Sequence, residues 1–386
     1  VTYYFSDCQT GAAVGCVPGN NANAGTQISP KRDLTGLNLD NLAGGSRLLF
    51  ARGGAFNWPM ILLDNMNTSA AQPLTFDAYG SGALPILDAP DSGVYFGGWM
   101  NTSNDGGYVF RNLRLQGRGA NASVGFFFVH NVHDVVIENM QITGFYLGMQ
   151  SQTIPPYGVT NVLIRNNSIG RNSGMGILGQ FSDTVIEDNL FEANNFSGSG
   201  FDHGTYLSGN ASSGRNITLR NNRYVRNSVV NGECRGGNMT FHGQFDGLLI
   251  EGNTIVQDTA LAGCWLMSIT QGYTTAEWFR NTVVRNNKLI NGGNTAIVVQ
   301  SAPGILLEGN IIINTQTTPQ TAISVGSNEY QNGDVADGNA VIRNNTACYP
   351  TPHMNSGATR VLAPNSTVTN NVLLAGAAGR SGVCVP

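Results

Sequence analysis

Apolar and polar residues alternate in short runs along most of the chain, and the runs break off at Asn, Asp or Gly. That is the period of half-buried strands, not of helices. One unit recurs: an aliphatic residue, one or two polar residues, Asn, any residue, then an aliphatic or aromatic one. It stands at Ile164-Arg-Asn-Asn167-Ser-Ile169, Ile186-Glu-Asp-Asn189-Leu-Phe191, Leu219-Arg-Asn-Asn222-Arg-Tyr224 and Ile250-Glu-Gly-Asn253-Thr-Ile255. It returns at Val284-Arg-Asn-Asn287-Lys-Leu289, Leu307-Glu-Gly-Asn310-Ile-Ile312, Ile342-Arg-Asn-Asn345-Thr-Ala347 and Val368-Thr-Asn-Asn371-Val-Leu373. The spacings of 22, 33, 31, 34, 23, 35 and 26 residues vary by insertion above a minimum near 22, as in a solenoid whose turns keep their strands and lengthen their loops.

This pattern predicts an all-β chain, a single-stranded right-handed parallel β-helix. Each Asn is expected at a sharp bend, in a left-handed backbone, with its amide bonded to the Asn of the next rung. Leucine-rich repeats also carry such an Asn, but their constant length and Leu periodicity are missing here. Val109-Phe-Arg-Asn-Leu-Arg-Leu115 and Val136-Ile-Glu-Asn-Met-Gln-Ile142 extend the strands towards the N-terminus. The whole chain, 1–386, reads as one domain of about twelve rungs. Residues 1–55 form a cap and the first strands, 56–375 the rungs, and 376–386 a tail held through Cys384. Leu34, Leu37 and Leu42 fall on a weak helical period and predict a cap helix near Pro30 to Leu42 that covers the open end.

Composition narrows the class. Hydrophobic residues make up 41% of the chain and charged residues only 11%, with 50 Gly, so uncharged polar side chains and tight turns cover the surface. The net charge of −4 with no Lys or Arg cluster excludes nucleic acid and anionic membrane as partners. Apolar runs such as Phe126-Phe127-Phe128-Val129 are too short to span a membrane. No basic-then-apolar leader opens the chain at Val1, so cysteine usage carries the prediction of compartment. Six Cys without a C-x-x-C pair predict three local disulfides, Cys8 with Cys16, Cys234 with Cys264 and Cys348 with Cys384, in a secreted or periplasmic protein.

The opening, Tyr3-Tyr4-Phe5-Ser6 with Gly19-Asn-Asn-Ala-Asn-Ala-Gly25-Thr26, Gly44-Gly-Ser-Arg-Leu-Leu-Phe50-Ala-Arg-Gly53-Gly54 and Ala78-Tyr79-Gly80, resembles the start of many secreted bacterial β-helix proteins. That group resembles the pectate-lyase-like superfamily of polysaccharide lyases, uronate epimerases and glycoside hydrolases. The resemblance implies a carbohydrate-active enzyme with a polysaccharide substrate, acidic if it contains uronate. It implies no organic cofactor and leaves calcium open.

Long rungs between Asn189 and Asn287 mark the working face. Stacking Gly174–Gln180, Asp202–Ser208, Gly237–Gly243, Gly263–Ile269 and Thr295–Ser301 places Gly176, Gly204, Met239, Trp265 and Ile297 in one inward column. Leu178, Tyr206, Phe241, Met267 and Val299 form another. His203 with Asn238, Thr205 with Thr240, and Leu207 with His242 then face solvent. Four positions along a strand cover about 13 Å, which separates His203 from His242 by more than one sugar. A one-residue slip would expose Tyr206 and bury His203.

β-Elimination of a uronate needs a group that neutralises the carboxyl, a base for the C5 proton and an acid for the leaving oxygen. Lys31 lies in the cap and Lys288 beside an Asn turn, the only two Lys of the chain, which leaves His203 as the expected base, Arg235 as neutraliser and Tyr206 as acid. His242 is a further catalytic candidate. Asp202 either takes part or orients His203. Glu233, Asn238, Thr240, Gln180 and Gln244 are candidate substrate-binding residues. His130, His133 and His353 read as loop residues. Gly200-Phe201-Asp202-His203 is similar to the Asp-Pro-His stretch of mannuronan C5-epimerases, without the Pro, so Asp202 and His203 also fit epimerisation. Hydrolysis by Glu233, Asp202 and Asp246, or a non-catalytic carbohydrate-binding role, are the remaining readings.

Overall fold

A computed structural model describes residues 1–97, 105–258, 264–350 and 359–386, without the side chains of 211, 212 and 264. Chain contacts divide it into two compact units, Val1–Asn172 and Ser173–Pro386. In each, short strands from successive turns pair in parallel and enclose an apolar interior.

In the first unit Thr2–Phe5, Arg47–Ala51, Leu74–Tyr79, Asp105–Arg111, Val132–Glu138 and Val159–Arg165 follow one another in parallel register. Large aromatics fill the space between. Phe5 stacks on Phe50 with ring centroids 4.8 Å apart, and Phe76 on Phe110 at 4.2 Å. Fully buried aromatic faces contribute both area and ring-on-ring contact. The expected cap helix is only a single 3-10 turn, Leu39–Asn41, among turns. Lys31, half-buried, donates from Nζ to the carbonyls of Asn21 and Asn23, so an ammonium in place of a helix ties this segment together.

In the second unit the bends carry the Asn ladder. From Asn189 through Asn222, Asn253, Asn287, Asn310 and Asn345 to Asn371, each Nδ2 donates to the Oδ1 of the next, at 2.9–3.0 Å. Each backbone N–H donates to that same oxygen. Asn167, in the first unit, plays the equivalent part towards Met140 and Ile137. The left-handed residue is not the ladder Asn but the one before it: Asn166, Asp188, Asn221, Gly252, Asn286, Gly309, Asn344 and Asn370 all have φ of 54–66°. The turn therefore splits the task, one residue taking the strained backbone and the next the hydrogen bonds.

One position further upstream, charge alternates from rung to rung. Glu187, Arg220, Glu251, Arg285, Glu308 and Arg343 are register partners in turn, with ion pairs at 2.6 Å for Arg220 with Glu187, 2.7 Å for Arg285 with Glu251 and 2.8 Å for Arg343 with Glu308. Disulfides join Cys8 to Cys16 and Cys348 to Cys384. The second anchors the tail, where Lys288 also donates to the Val385 carbonyl. The pairing of Cys234 with Cys264 rests on a side chain outside the described residues, as does His353. No helix among the described residues is long and apolar enough to cross a membrane.

Candidate active site

The face strands of the second unit run from His203 in His203–Arg220, through Gly236–Glu251 and Cys264–Ile269, to Thr295–Val299 and Thr321–Val325. Their register is His203 with Gly237, Trp265, Thr295 and Thr321, and Tyr206 with Thr240, Ser268, Val298 and Ser324. Between these two outward columns lie two consecutive inward residues. Asn238 and Met239, Leu266 and Met267, and Ala296 and Ile297 are all fully buried. The strands turn a corner there, so strict alternation fails.

The corner explains which side chains meet. Tyr206 faces out beside Thr240, while Thr205, Leu207 and Asn238, expected at the surface, point inside. Thr205 bonds the buried Tyr224 hydroxyl at 3.2 Å. Asn238 accepts from Asn227 at 3.2 Å and donates to Gln257 at 2.6 Å, a polar network behind the strand. Trp265, expected inside, is 38% exposed. His203 remains on the working face because the corner restores its direction. His203 and His242 both pack against the Tyr206 ring, with centroids 5.7 and 5.4 Å from it.

These groups line a cleft of about 630 Å³ with Phe201, Trp265, Gln271, Tyr273 and Gln300. The backbone N–H of Gly237 donates to His203 Nδ1 at 2.9 Å. That bond fixes the proton of the neutral ring on Nε2, which makes His203 a donor towards the cleft. Burial, aided by the nearby His242, pushes its pKa down to about 3. His242 is held the opposite way: its Nδ1 lies 2.5 Å from the Thr270 carbonyl, which can only accept. Its Nε2 therefore keeps a lone pair. Burial lowers its pKa, against a pull upwards from the Thr270 bond and the charge of Glu277. A Cβ at Gly272 would come within 2.7 Å of the His242 ring, so only glycine lets the loop pass there.

Two members of the site come from the 270–277 loop. The Tyr273 hydroxyl bonds the Tyr206 hydroxyl at 2.6 Å and Ser208 Oγ at 2.9 Å. The carboxylate of the fully buried Glu277 accepts from the backbone N–H groups of Gly243, Gly272 and Tyr273 at 2.6, 2.6 and 2.9 Å and holds the loop in place. Burial first, and then the bond to Tyr273, raise the Tyr206 pKa above its ordinary value, so the phenol keeps its proton at neutral pH.

No family model matches the chain, and no curated protein matches it in sequence. Among solved structures it is similar to the A-modules of two mannuronan C-5 epimerases from Azotobacter vinelandii. Their TM-scores are 0.59 and 0.60 at 16% and 15% identity, over 96% of this chain and 96% and 99% of theirs. A pectate lyase matches with a TM-score of 0.54 at 13% identity, over 96% of this chain and 79% of its own. The chain has the right-handed parallel β-helix fold.

On this β-helix the remaining candidates fall away from the cleft. Arg235 donates to Glu233 at 3.1 Å, both exposed, at the end of the hairpin formed by Val229–Val230 and Glu233–Cys234; neither lines the cleft. Asp202 is buried, and its carbonyl accepts from Asn195 and Ser228. Gln180 is buried away from the cleft, and Gln244 donates to the Ala276 carbonyl at 2.9 Å. Asp246 pairs with the Asn281 amide outside the cleft. Among the described residues no three His, Cys, Asp or Glu side chains converge to hold a metal ion. Thr240 is the one predicted binding residue on the cleft wall.

The buried, neutral His203 also sets a stability window. The unfolded chain takes up this proton near pH 6.5 and the folded one only near 3. Its contribution is thus fully present above about pH 6.5 and is lost as pH falls towards 3, at up to about 1.4 kcal/mol per pH unit. Thermal midpoints between pH 7 and 4 are expected to fall more steeply for the natural protein than for His203→Gln; equal slopes would overturn the assignment.

Proposed function

We propose that the protein is a secreted polysaccharide lyase that cleaves a uronic-acid-containing polysaccharide by β-elimination. The observation that carries this reading is the pairing, in one cleft, of a histidine with a free lone pair and a tyrosine that keeps its proton. His242 Nε2 takes the C5 proton, and the C–H electron pair moves towards the carboxyl carbonyl, where the His203 Nε2–H donates. The C4–O4 bond then breaks with its electron pair on O4, which takes the Tyr206 proton. A C4=C5 double bond forms and no water is consumed. Proton return from imidazolium to phenolate, through solvent or Tyr273, resets the site. This departs from the roles expected from sequence, with His242 in place of His203 as base and His203 in place of Arg235 at the carboxyl: with Nδ1 engaged by Gly237, His203 is suited to donate and not to abstract.

Epimerisation is the second reading, favoured by the near-complete overlap with the epimerase modules. There the Tyr206 proton would return to C5 from the opposite face, and O4 would stay bonded. The disulfides fit an oxidising compartment, and the fold is one on which polysaccharide-acting enzymes are built.

Incubation with a panel of uronate polymers, each as free acid and as methyl ester, separates the two. Elimination gives absorbance near 235 nm from the unsaturated uronate. Epimerisation gives none but exchanges C5 hydrogen with deuterated water. Deuterium exchange without absorbance would replace the lyase reading with the second, and neither signal would reject both.

A further inference from the structure

The cleft is built from uncharged groups. Its walls are Phe201, Trp265, Tyr273 and Val298, its polar atoms include the amides of Gln271 and Gln300, and none of its lining residues is Lys, Arg, Asp or Glu. The residues outside the description add no such charge, since their sequence contains none of these four types. Arg235, the cation nearest in sequence, is engaged with Glu233 on the hairpin. Behind the cleft floor stands the Glu277 carboxylate, whose charge acts on both Tyr206 and His242.

A substrate carboxylate entering this space would lose water and meet no cation among the lining residues, with a fixed negative charge behind the ring that must take the neighbouring C5 proton. Burying an unpaired ion is strongly unfavourable. Elimination makes the problem worse, because a carboxylate that takes up the C5 electron pair carries two negative charges. An ester carries one, which a single neutral N–H donor and two amides can stabilise.

We infer that the reacting uronate binds with its carboxyl group uncharged, as an ester, so that the preferred substrate is an esterified polyuronate. This rests on the proposed elimination for its chemistry, but it makes a claim about binding that stands apart from turnover. The aromatic wall fits it as well: Trp265 and the 88% exposed Phe201 offer apolar surface to an ester methyl and to sugar C–H faces.

The test uses matched hexamers of galacturonate, mannuronate, guluronate and glucuronate, each as free acid and as methyl ester. Affinities are measured by calorimetry on the Tyr206→Phe protein, with added calcium and with chelator, and absorbance at 235 nm is followed with the natural protein. In at least one pair the ester is expected to bind 10-fold or more tightly than the acid, in either medium. Equal or tighter binding of the acid in every pair that binds, including tighter binding brought about by calcium, overturns the inference, as does failure of every pair to bind. Preferential ester binding without any absorbance leaves the inference standing and removes the lyase reading. Absorbance from the acid forms alone does the reverse.

Discussion

Alanine at position 242 is expected to reduce elimination by about 10²–10⁴-fold, the share a positioned general base supplies, with little loss of stability. His242 is only partly buried, and its side chain makes one hydrogen bond, to the Thr270 carbonyl. Its removal should therefore cost about 0.5–1.5 kcal/mol. Tyr206→Phe should lose turnover to a similar degree, because the ring that supports both histidines remains while the proton donor goes. The pH profile gives an independent readout. His242 must be neutral to accept a proton and its pKa is lowered by burial, so activity should rise with pH through a value below the ordinary 6.5. Near-normal turnover in His242→Ala, with its thermal midpoint unchanged, would rule it out as the base.

The second large effect concerns the ladder. Asn253→Ala removes the oxygen that accepts from both the backbone and side-chain N–H of Asn222. It also removes the side-chain donor to the Leu219 carbonyl and leaves Asn287 Oδ1 with only the backbone N–H of residue 253. All three Asn are buried. With each unsatisfied buried group costing roughly 1–3 kcal/mol, a loss of about 3 kcal/mol or more is expected in urea unfolding. In a repeat structure the damage is local, so hydrogen exchange at the Asn222 amide should accelerate far more than at the Asn345 amide. A change below about 1 kcal/mol would show that the ladder is decoration on a fold held by its core.

Much of this fold could be read from the sequence, because the Asn unit is a local signal: the same bend, repeated, needs the same residue each time. The stack of the face strands was less legible. Strict alternation assumes a straight strand, and these turn a corner at Asn238–Met239, Leu266–Met267 and Ala296–Ile297. Aligning the apolar pairs Leu266–Met267, Ala296–Ile297 and Ala322–Ile323 would have set the register of those strands, while Tyr206 turns outwards because it pairs with Thr240, one place from the Phe241 expected beside it. His203, His242 and Thr240 were found because they lie on strands. Tyr273 and Glu277 were not, since a loop has no period and its carboxylate serves backbone N–H groups that no side-chain pattern announces. Arg235 illustrates the opposite error: proximity in sequence to a strand entrance does not aim a guanidinium at the cleft.

The alternating Glu and Arg column has a consequence for how such a protein can change length. Excising one turn, for instance the one that carries Glu251, would set Arg220 directly against Arg285, about 4.8 Å away, and like charges facing each other destabilise. Excising two neighbouring turns restores attraction at the seam. Although the hydrogen-bonding repeat is one turn, the electrostatic repeat is two, so turns in this stretch should be added or lost in pairs.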